Sequence, residues 1–314
     1  MAFKMSVQDY KGKINEVEIG KGDKAFKIGG QATMAFYDFD GETGNSPKVG
    51  MEILDVFPEE WITSLKDLYK DVAHSPVEWA KFVEKELGPD FICLRFLGAD
   101  PNGLDKSPEE CGEIAKAVVE AIHLPLVIAG TGNHDKDAKL FEKVAAAVEG
   151  HNCLFLAATE DNYKTIGAAA GLAYGHKVGA ESSVDINLAK QLNVLMGQLG
   201  VKYEDIAMNI GCSAVGYGFE YLISTVDRIR LAALGQNDKT LQMPIMTPVS
   251  FETWNVKETV AEEEDAPEWG DKEERGIAME VSTAASIIAV GSDAVIVRHP
   301  KSLATIKNFT EAIA

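Results

Sequence analysis

The sequence predicts a single eight-stranded parallel β/α barrel, a (β/α)8 or TIM barrel. Three observations predict it: short β-rich apolar runs alternate with helical patterns, the runs number eight, and no composition shift divides the chain. The runs are Lys48–Leu54, Asp90–Phe96, Pro125–Gly130, Cys153–Ala158, His176–Glu181, Asp205–Ile210, Pro244–Val249 and Asp293–Arg298. Several are almost continuously apolar, which suits parallel strands covered on both faces. An open doubly wound sheet is the alternative for 314 residues, and the strand count favours the barrel.

Ahead of the first run, Glu16–Ile19 and Lys24–Ile28 flank Gly20-Lys21-Gly22-Asp23, the pattern of a β-hairpin. Residues 1–47 are therefore expected to form an extension that plugs or flanks the N-terminal end of a barrel spanning 48–314. After the first run, Pro58–Tyr69 predicts an extra short helix. Ser75-Pro76-Val77-Glu78 and Ser107-Pro108-Glu109-Glu110 each read as N-cap, Pro at N1 and a reciprocating Glu at N3. Cys111, Ile114, Ala115, Val118 and Ile122 repeat at helical spacing, as do Leu188, Leu192, Leu195, Met196 and Leu199, then Phe219, Leu222, Ile223, Val226 and Ala233. Such stripes face the sheet. The connection after the seventh run, Phe251–Asp271, is long and acidic and carries Trp254 and Trp269. It is placed at the C-terminal mouth, as a lid or a docking surface.

Composition narrows the function. The chain is 46% hydrophobic and 25% charged, so it can bury a sizeable core. Its net charge is −19, from 49 acidic and 30 basic residues, a balance that repels phosphate backbones and argues against nucleic-acid binding. No apolar run approaches the ~20 residues of a membrane span. The opening MAFKMSVQDYKGK has no apolar stretch after its lysines, so the expected compartment is the cytoplasm. Cys93, Cys111, Cys153 and Cys212 are scattered, with no CxxC pair to hold an iron–sulfur cluster or zinc. They read as small buried residues.

Motifs of catalysis fail one by one. Gly130-Thr131-Gly132-Asn133-His134-Asp135 has Asp135 where a dinucleotide fingerprint needs its third glycine. Asp38-Phe39-Asp40-Gly41 lacks the acidic twelfth position of a calcium loop, where Val49 stands. The seventh and eighth strands end Thr247-Pro248-Val249 and Arg298-His299-Pro300, without phosphate-cradling glycines, although Arg298 could hold an anion. Polar residues expected at the mouth are Asp100, Thr131, Asn133, Thr159, Glu160, Asn162, Glu181, Asp185, Asn187, Asn209, Cys212, Thr247, Arg298 and His299. Each either lines a ligand pocket or caps the following helix, and His299 reads equally as the N-cap of the last helix. Amides and hydroxyls dominate. No nucleophile–base pair, H-E-x-x-H, G-x-S-x-G or strand-end lysine emerges, so no catalytic or metal-ligating residue is assigned.

Seven segments in order, LGADPNG (97–103), EDNYK (160–164), VDINLAKQLN (184–193), VGYGFEY (215–221), VDRIRLAAL (226–234), WGDKEERG (269–276) and VRHP (297–300), make the chain resemble the small subunit of the corrinoid/iron–sulfur protein. The resemblance covers essentially the whole chain. It implies a TIM barrel related to pterin-dependent methyltransferases, in a cytoplasmic heterodimer of the acetyl-CoA (Wood–Ljungdahl) pathway of carbon fixation. The complex carries a methyl group on cobalt from methyltetrahydrofolate, through a methyltransferase, to acetyl-CoA synthase, and a reductive activator services it. The large subunit would supply the [4Fe–4S] cluster and the corrinoid (cobalamin) domain, and this chain would share the corrinoid without independent catalysis. Strand-end position then puts Thr131, Asn133, Thr159, Asp185, Asn187, Asn209, Gly211 and Arg298 nearest the corrinoid. The alternative is a pterin-dependent methyltransferase barrel acting alone, with Asp100, Asn133, Asp185 and Asn209 available to hold a pterin.

Overall fold

A computed structural model describes residues 5–313. Strands β1 (Val17–Ile19) and β2 (Phe26–Ile28) pair antiparallel as the predicted hairpin. The inner residues Val17, Ile19 and Ile28 are fully buried against Phe91, Val127, Leu154, Met246 and Ala294, so the hairpin closes the N-terminal end of the barrel. Gly20 allows this approach: its N–H donates to the Asn152 carbonyl at 2.8 Å, and a Cβ there would stand 2.5 Å from Pro125.

The barrel strands are β3 (Lys48–Leu54), β4 (Phe91–Arg95), β5 (Leu126–Ala129), β6 (Leu154–Ala158), β7 (Lys177–Glu181), β8 (Ile206–Asn209), β9 (Met246–Thr247) and β10 (Ala294–Val297). They run parallel in the order β8-β7-β6-β5-β4-β3-β10-β9, and a parallel bridge from Met208 to Ile245 joins the two ends. The predicted runs therefore fall on the eight strands. β9 is much shorter than the Pro244–Val249 expected, because Pro244 and Pro248 bracket it without an N–H to donate.

Between and beyond the strands run α1 (Thr63–Tyr69), α2 (Pro76–Phe82), α3 (Pro108–Ala121), α4 (His134–Ala147), α5 (Tyr163–Ile166), α6 (Ile186–Leu199), α7 (Phe219–Gly235), α8 (Ser250–Thr253), α9 (Lys257–Val260), α10 (Lys272–Ala289) and α11 (Pro300–Ala312). Ser107 forms the full capping box with Glu110, whereas Ser75 caps Glu78 N–H but Glu78 turns instead to Lys81. Strand parity makes two cores. Val49, Met51 and Ile53 pack against helices, while Phe91, Cys93, Val127, Leu154, Ala207 and Ile296 fill the barrel.

One buried ion pair ties the N-terminal ends together. Asp293 accepts from the Ile245 N–H at 2.7 Å, from Arg230 on α7 and from the Gln31 amide of the extension. Arg230 also donates to the Gly291 and Met243 carbonyls. Asp293→Ala would leave the guanidinium buried and uncompensated, so a loss of about 3–5 kcal/mol in urea unfolding is expected. A loss under about 1 kcal/mol would show that the clamp contributes little.

Candidate functional site

The C-terminal mouth carries charge where the barrel interior below it is apolar. Glu52 points inward from β3 with no solvent exposure. Its Oε2 accepts from Arg298 Nε at 3.0 Å, and its Oε1 lies 3.4 Å from an Arg95 Nη. Burial alone would push the Glu52 carboxyl up; Arg298 and then Arg95 more than reverse that and hold it below its ordinary value. Each guanidinium is stacked as well. Arg298 lies 4.3 Å from the centre of the Trp61 ring, and Arg95 lies 3.9 Å from that of Phe251.

Phe251 is carried by α8, the first turn of the long acidic connection, and packs on the barrel interior. The Arg95–Phe251 stack divides the mouth. On one side is a cleft of about 300 Å³ over Arg95 and Arg298, walled by Phe57, Trp61, Leu97 and Trp254. On the other, a cleft of about 250 Å³ is lined by Glu181, Ser183, Asn209, Gly211, Cys212 and Glu252. Here Asn209 Nδ2 donates to Glu181 Oε2 at 3.2 Å, and Asn209 Oδ1 accepts from Gly211 N–H at 2.9 Å. Ser183 and Val184 turn the chain over this cleft with φ of +44° and +62°. A β-branched residue in that region stores about 1–3 kcal/mol of strain. The turn is pinned by Val184 N–H to the Ile210 carbonyl and by Thr225 Oγ1 to the Val184 carbonyl.

The expected site residues divide between these clefts and the rim. Asn209 and Gly211 share the second cleft, and Arg298 lies in the first, committed to Glu52 and Trp61. Thr131 gives its hydroxyl proton to Asp137 and accepts from Asn133 N–H. Asn133 and Asp185 are the N-caps of α4 and α6, and Thr159 N–H is held by the Asn162 side chain. Asn187 is exposed at the start of α6. His299 caps α11 through Nδ1, while its Nε2 meets Glu273 at 3.0 Å. Glu52, Arg95 and Phe251 escaped the sequence reading. The available signal was a charge at the inward positions 52 and 95 of otherwise apolar runs.

Among the described residues, no hydroxyl or thiol at the mouth is hydrogen-bonded to a histidine ring. Burial pushes the Cys212 thiol up, so it is no ready thiolate. Burial also raises the Cys93, Cys111 and Cys153 thiols. Among the described residues, no three His, Cys, Asp or Glu side chains converge as metal ligands. Among the same residues, no helix is long and apolar enough to cross a membrane.

Comparison with known proteins places this barrel. Residues 16–302 match the family model described as CO dehydrogenase/acetyl-CoA synthase delta subunit. The chain belongs to that family. Among curated relatives, the delta subunit of the acetyl-CoA decarbonylase/synthase complex of Methanocaldococcus jannaschii is 34% identical, over 98% of this chain and 76% of its own length. The corresponding subunits of Methanothermobacter thermautotrophicus and Archaeoglobus fulgidus are 33% and 31% identical, over 98% and 97% of this chain and 78% and 69% of theirs. Each of these relatives is named as a subunit of a complex. Of solved structures, a Yersinia pestis dihydropteroate synthase with a pterine-sulfa conjugate superposes with TM-score 0.55 at 12% identity, covering 87% of this chain and 96% of that one. The Burkholderia cenocepacia enzyme complexed with 7,8-dihydropteroate gives 0.54 at 13%, covering 96% and 98%. At that identity the likeness establishes the barrel fold alone.

Glu181 offers a pH test of the mouth. Burial raises its carboxyl above the ordinary 4.5; His134 and Arg95 oppose the shift, and Asp137 and Glu252 add to it. A raised folded value means the folded state holds the proton longer, so this group costs stability as pH climbs from 4.5 through the folded value. Glu181→Gln should therefore lose less stability than the parent as pH rises from 4.5 through the raised folded value, read as urea midpoints. Parallel curves for the two proteins would refute the shift.

Proposed function

We propose that this chain is the small subunit of a corrinoid/iron–sulfur methyl carrier of the acetyl-CoA (Wood–Ljungdahl) pathway. Its barrel mouth covers a corrinoid held mainly by the large subunit. One observation carries the reading: in a delta-subunit family member, most expected site residues at the mouth are spent on helix caps or on one another, and among the described residues no hydroxyl or thiol there is hydrogen-bonded to a histidine ring. A barrel that ran nucleophilic chemistry on its own side chains would need such a pair.

The donor set bears on each cofactor. Three of the four thiols are buried, the fourth is partly so, and all are held protonated by burial. An iron–sulfur cluster needs thiolates brought together, so the [4Fe–4S] cluster is assigned to the large subunit. A corrinoid fits only as a group covered from one side. Both clefts sit at or below the small end of the usual ligand-pocket range, about 300–1,000 Å³, and a corrin macrocycle exceeds either. When bound, the corrinoid supplies a cobalt nucleophile that carries the methyl group.

The contribution of this chain is then shape, polarity and exclusion of water. The rim residues Thr131, Asn133, Thr159 and Asp185 are fixed by their own capping bonds, so they present a preorganised surface. Asn187 holds an exposed side-chain amide with no hydrogen bond among the described residues, suited to an amide-bearing macrocycle. Asn209, Gly211 and Arg298 stand deeper, behind that rim. The methyltransferase, acetyl-CoA synthase and reductive activator would each act on the complex with the large subunit.

The test is the visible spectrum of this chain alone and with its large subunit, joined to methyl-transfer rates. Cobalt absorbance is expected only in the complex. Asn187→Trp, which adds bulk to the exposed rim, should slow transfer to acetyl-CoA synthase by about tenfold or more. Saturable binding of methyltetrahydrofolate to the isolated chain, with methyl transfer to free corrinoid, would overturn the proposal in favour of a pterin-dependent methyltransferase barrel.

A further inference from the structure

We infer that the cleft between the β3–α1 loop and Trp254 is a binding site for an anionic group, a carboxylate or phosphate, carried on a flat apolar or aromatic body. The inference is independent of the corrinoid reading, because it rests only on side chains that line this cleft.

The floor is the first observation. Two guanidiniums, Arg95 and Arg298, share one carboxylate, Glu52, which lies fully buried. Two other carboxylates stand near these arginines: Glu280 accepts from the Arg298 and His299 N–H groups, Glu252 faces Arg95 from the second cleft, and burial raises both above their ordinary value. Asp55, the next carboxylate along the chain, is already engaged by Lys106 Nζ and the Gly98 N–H. Glu59 and Glu60 stand exposed at the rim, where water screens them.

The second observation is unspent donors. Arg298 uses only Nε on Glu52, and both of its Nη groups lack a protein acceptor among the described residues. Arg95 makes one long contact of 3.4 Å to the same carboxylate, and its Nε is buried without a partner. Guanidinium donors left over beside a cleft are the arrangement that binds carboxylate or phosphate, with charge-assisted bonds roughly twice as strong as neutral ones.

Rigidity is the third. Trp61 lies against the Arg298 guanidinium and Phe251 against that of Arg95, so both charged planes are fixed before any ligand arrives. Little side-chain entropy remains to be lost on binding. The walls above are Phe57, Trp61, Leu97 and Trp254, and Phe57 is itself stacked on His74 with 4.4 Å between ring centres. A volume of about 300 Å³ suits one ring with one anionic substituent.

Calorimetric titration of the full chain with benzoate, phenylphosphate, benzamide and inorganic phosphate tests this. Benzoate and phenylphosphate are expected to bind at least tenfold more tightly than neutral benzamide, and phenylphosphate more tightly than inorganic phosphate. Arg95→Gln should abolish the preference for charge while leaving benzamide unchanged. Equal affinities for benzoate and benzamide in the unaltered chain would overturn the anion site without any variant. So would an undiminished preference in folded Arg95→Gln. Inorganic phosphate binding as tightly as phenylphosphate would overturn the apolar wall as a recognition element.

Discussion

Glu52 enters the barrel from β3 with no exposure to solvent, and a lone carboxylate in that position would cost several kcal/mol of desolvation. It survives as an ion because Arg298 and Arg95 reach it from β10 and β4, the strands on either side. Those two bonds decide much else. They draw Arg298 inward, where Trp61 packs on it, and they hold Arg95 where Phe251 can cover the mouth. The Arg298 carbonyl in turn accepts from Tyr69 Oη at 3.0 Å, which fixes α1. Replacing such a triad by apolar residues of equal volume is often neutral or stabilising. Its presence is therefore better explained by what it arranges at the mouth than by stability.

The architecture was legible in the sequence because its signals are local. Eight apolar runs, the Ser107 capping box and the Gly20–Asp23 turn are each written within a few residues, and each appears in the fold. β9 shows the same logic in reverse: its prolines were visible, and they truncate the strand they bracket. The mouth was legible only as a set of strand ends. Period-two alternation says that Glu52 and Arg298 lie on the inner face of their strands, but nothing local pairs residues 246 positions apart. Phe251 was harder still, since its place depends on how a long connection folds back.

Capping explains why so many expected site residues turned out to be occupied. A strand end in a β/α barrel is also the approach to a helix N-terminus, and that helix has four N–H groups to satisfy. Asn133, Asp185 and His299 spend their acceptors there, and Asp137 takes three donors from Thr131 and Gly132. These residues have not lost a role at the mouth. Their side chains are immobilised by the fold, and the surface they form is stiff.

Stiffness matters for a family whose named members are subunits of a complex. An enzyme site needs groups free to exchange protons, whereas a cover needs a fixed outline whose polar atoms are already satisfied. In this chain the second cleft is closed by Asn209 bridging Glu181 and Gly211, beneath a strained turn at Ser183 and Val184 that several bonds hold in place. The first cleft keeps its guanidinium donors unspent and its aromatic walls open. One half of the mouth is thus complete by itself, and the other half is built to meet something negatively charged.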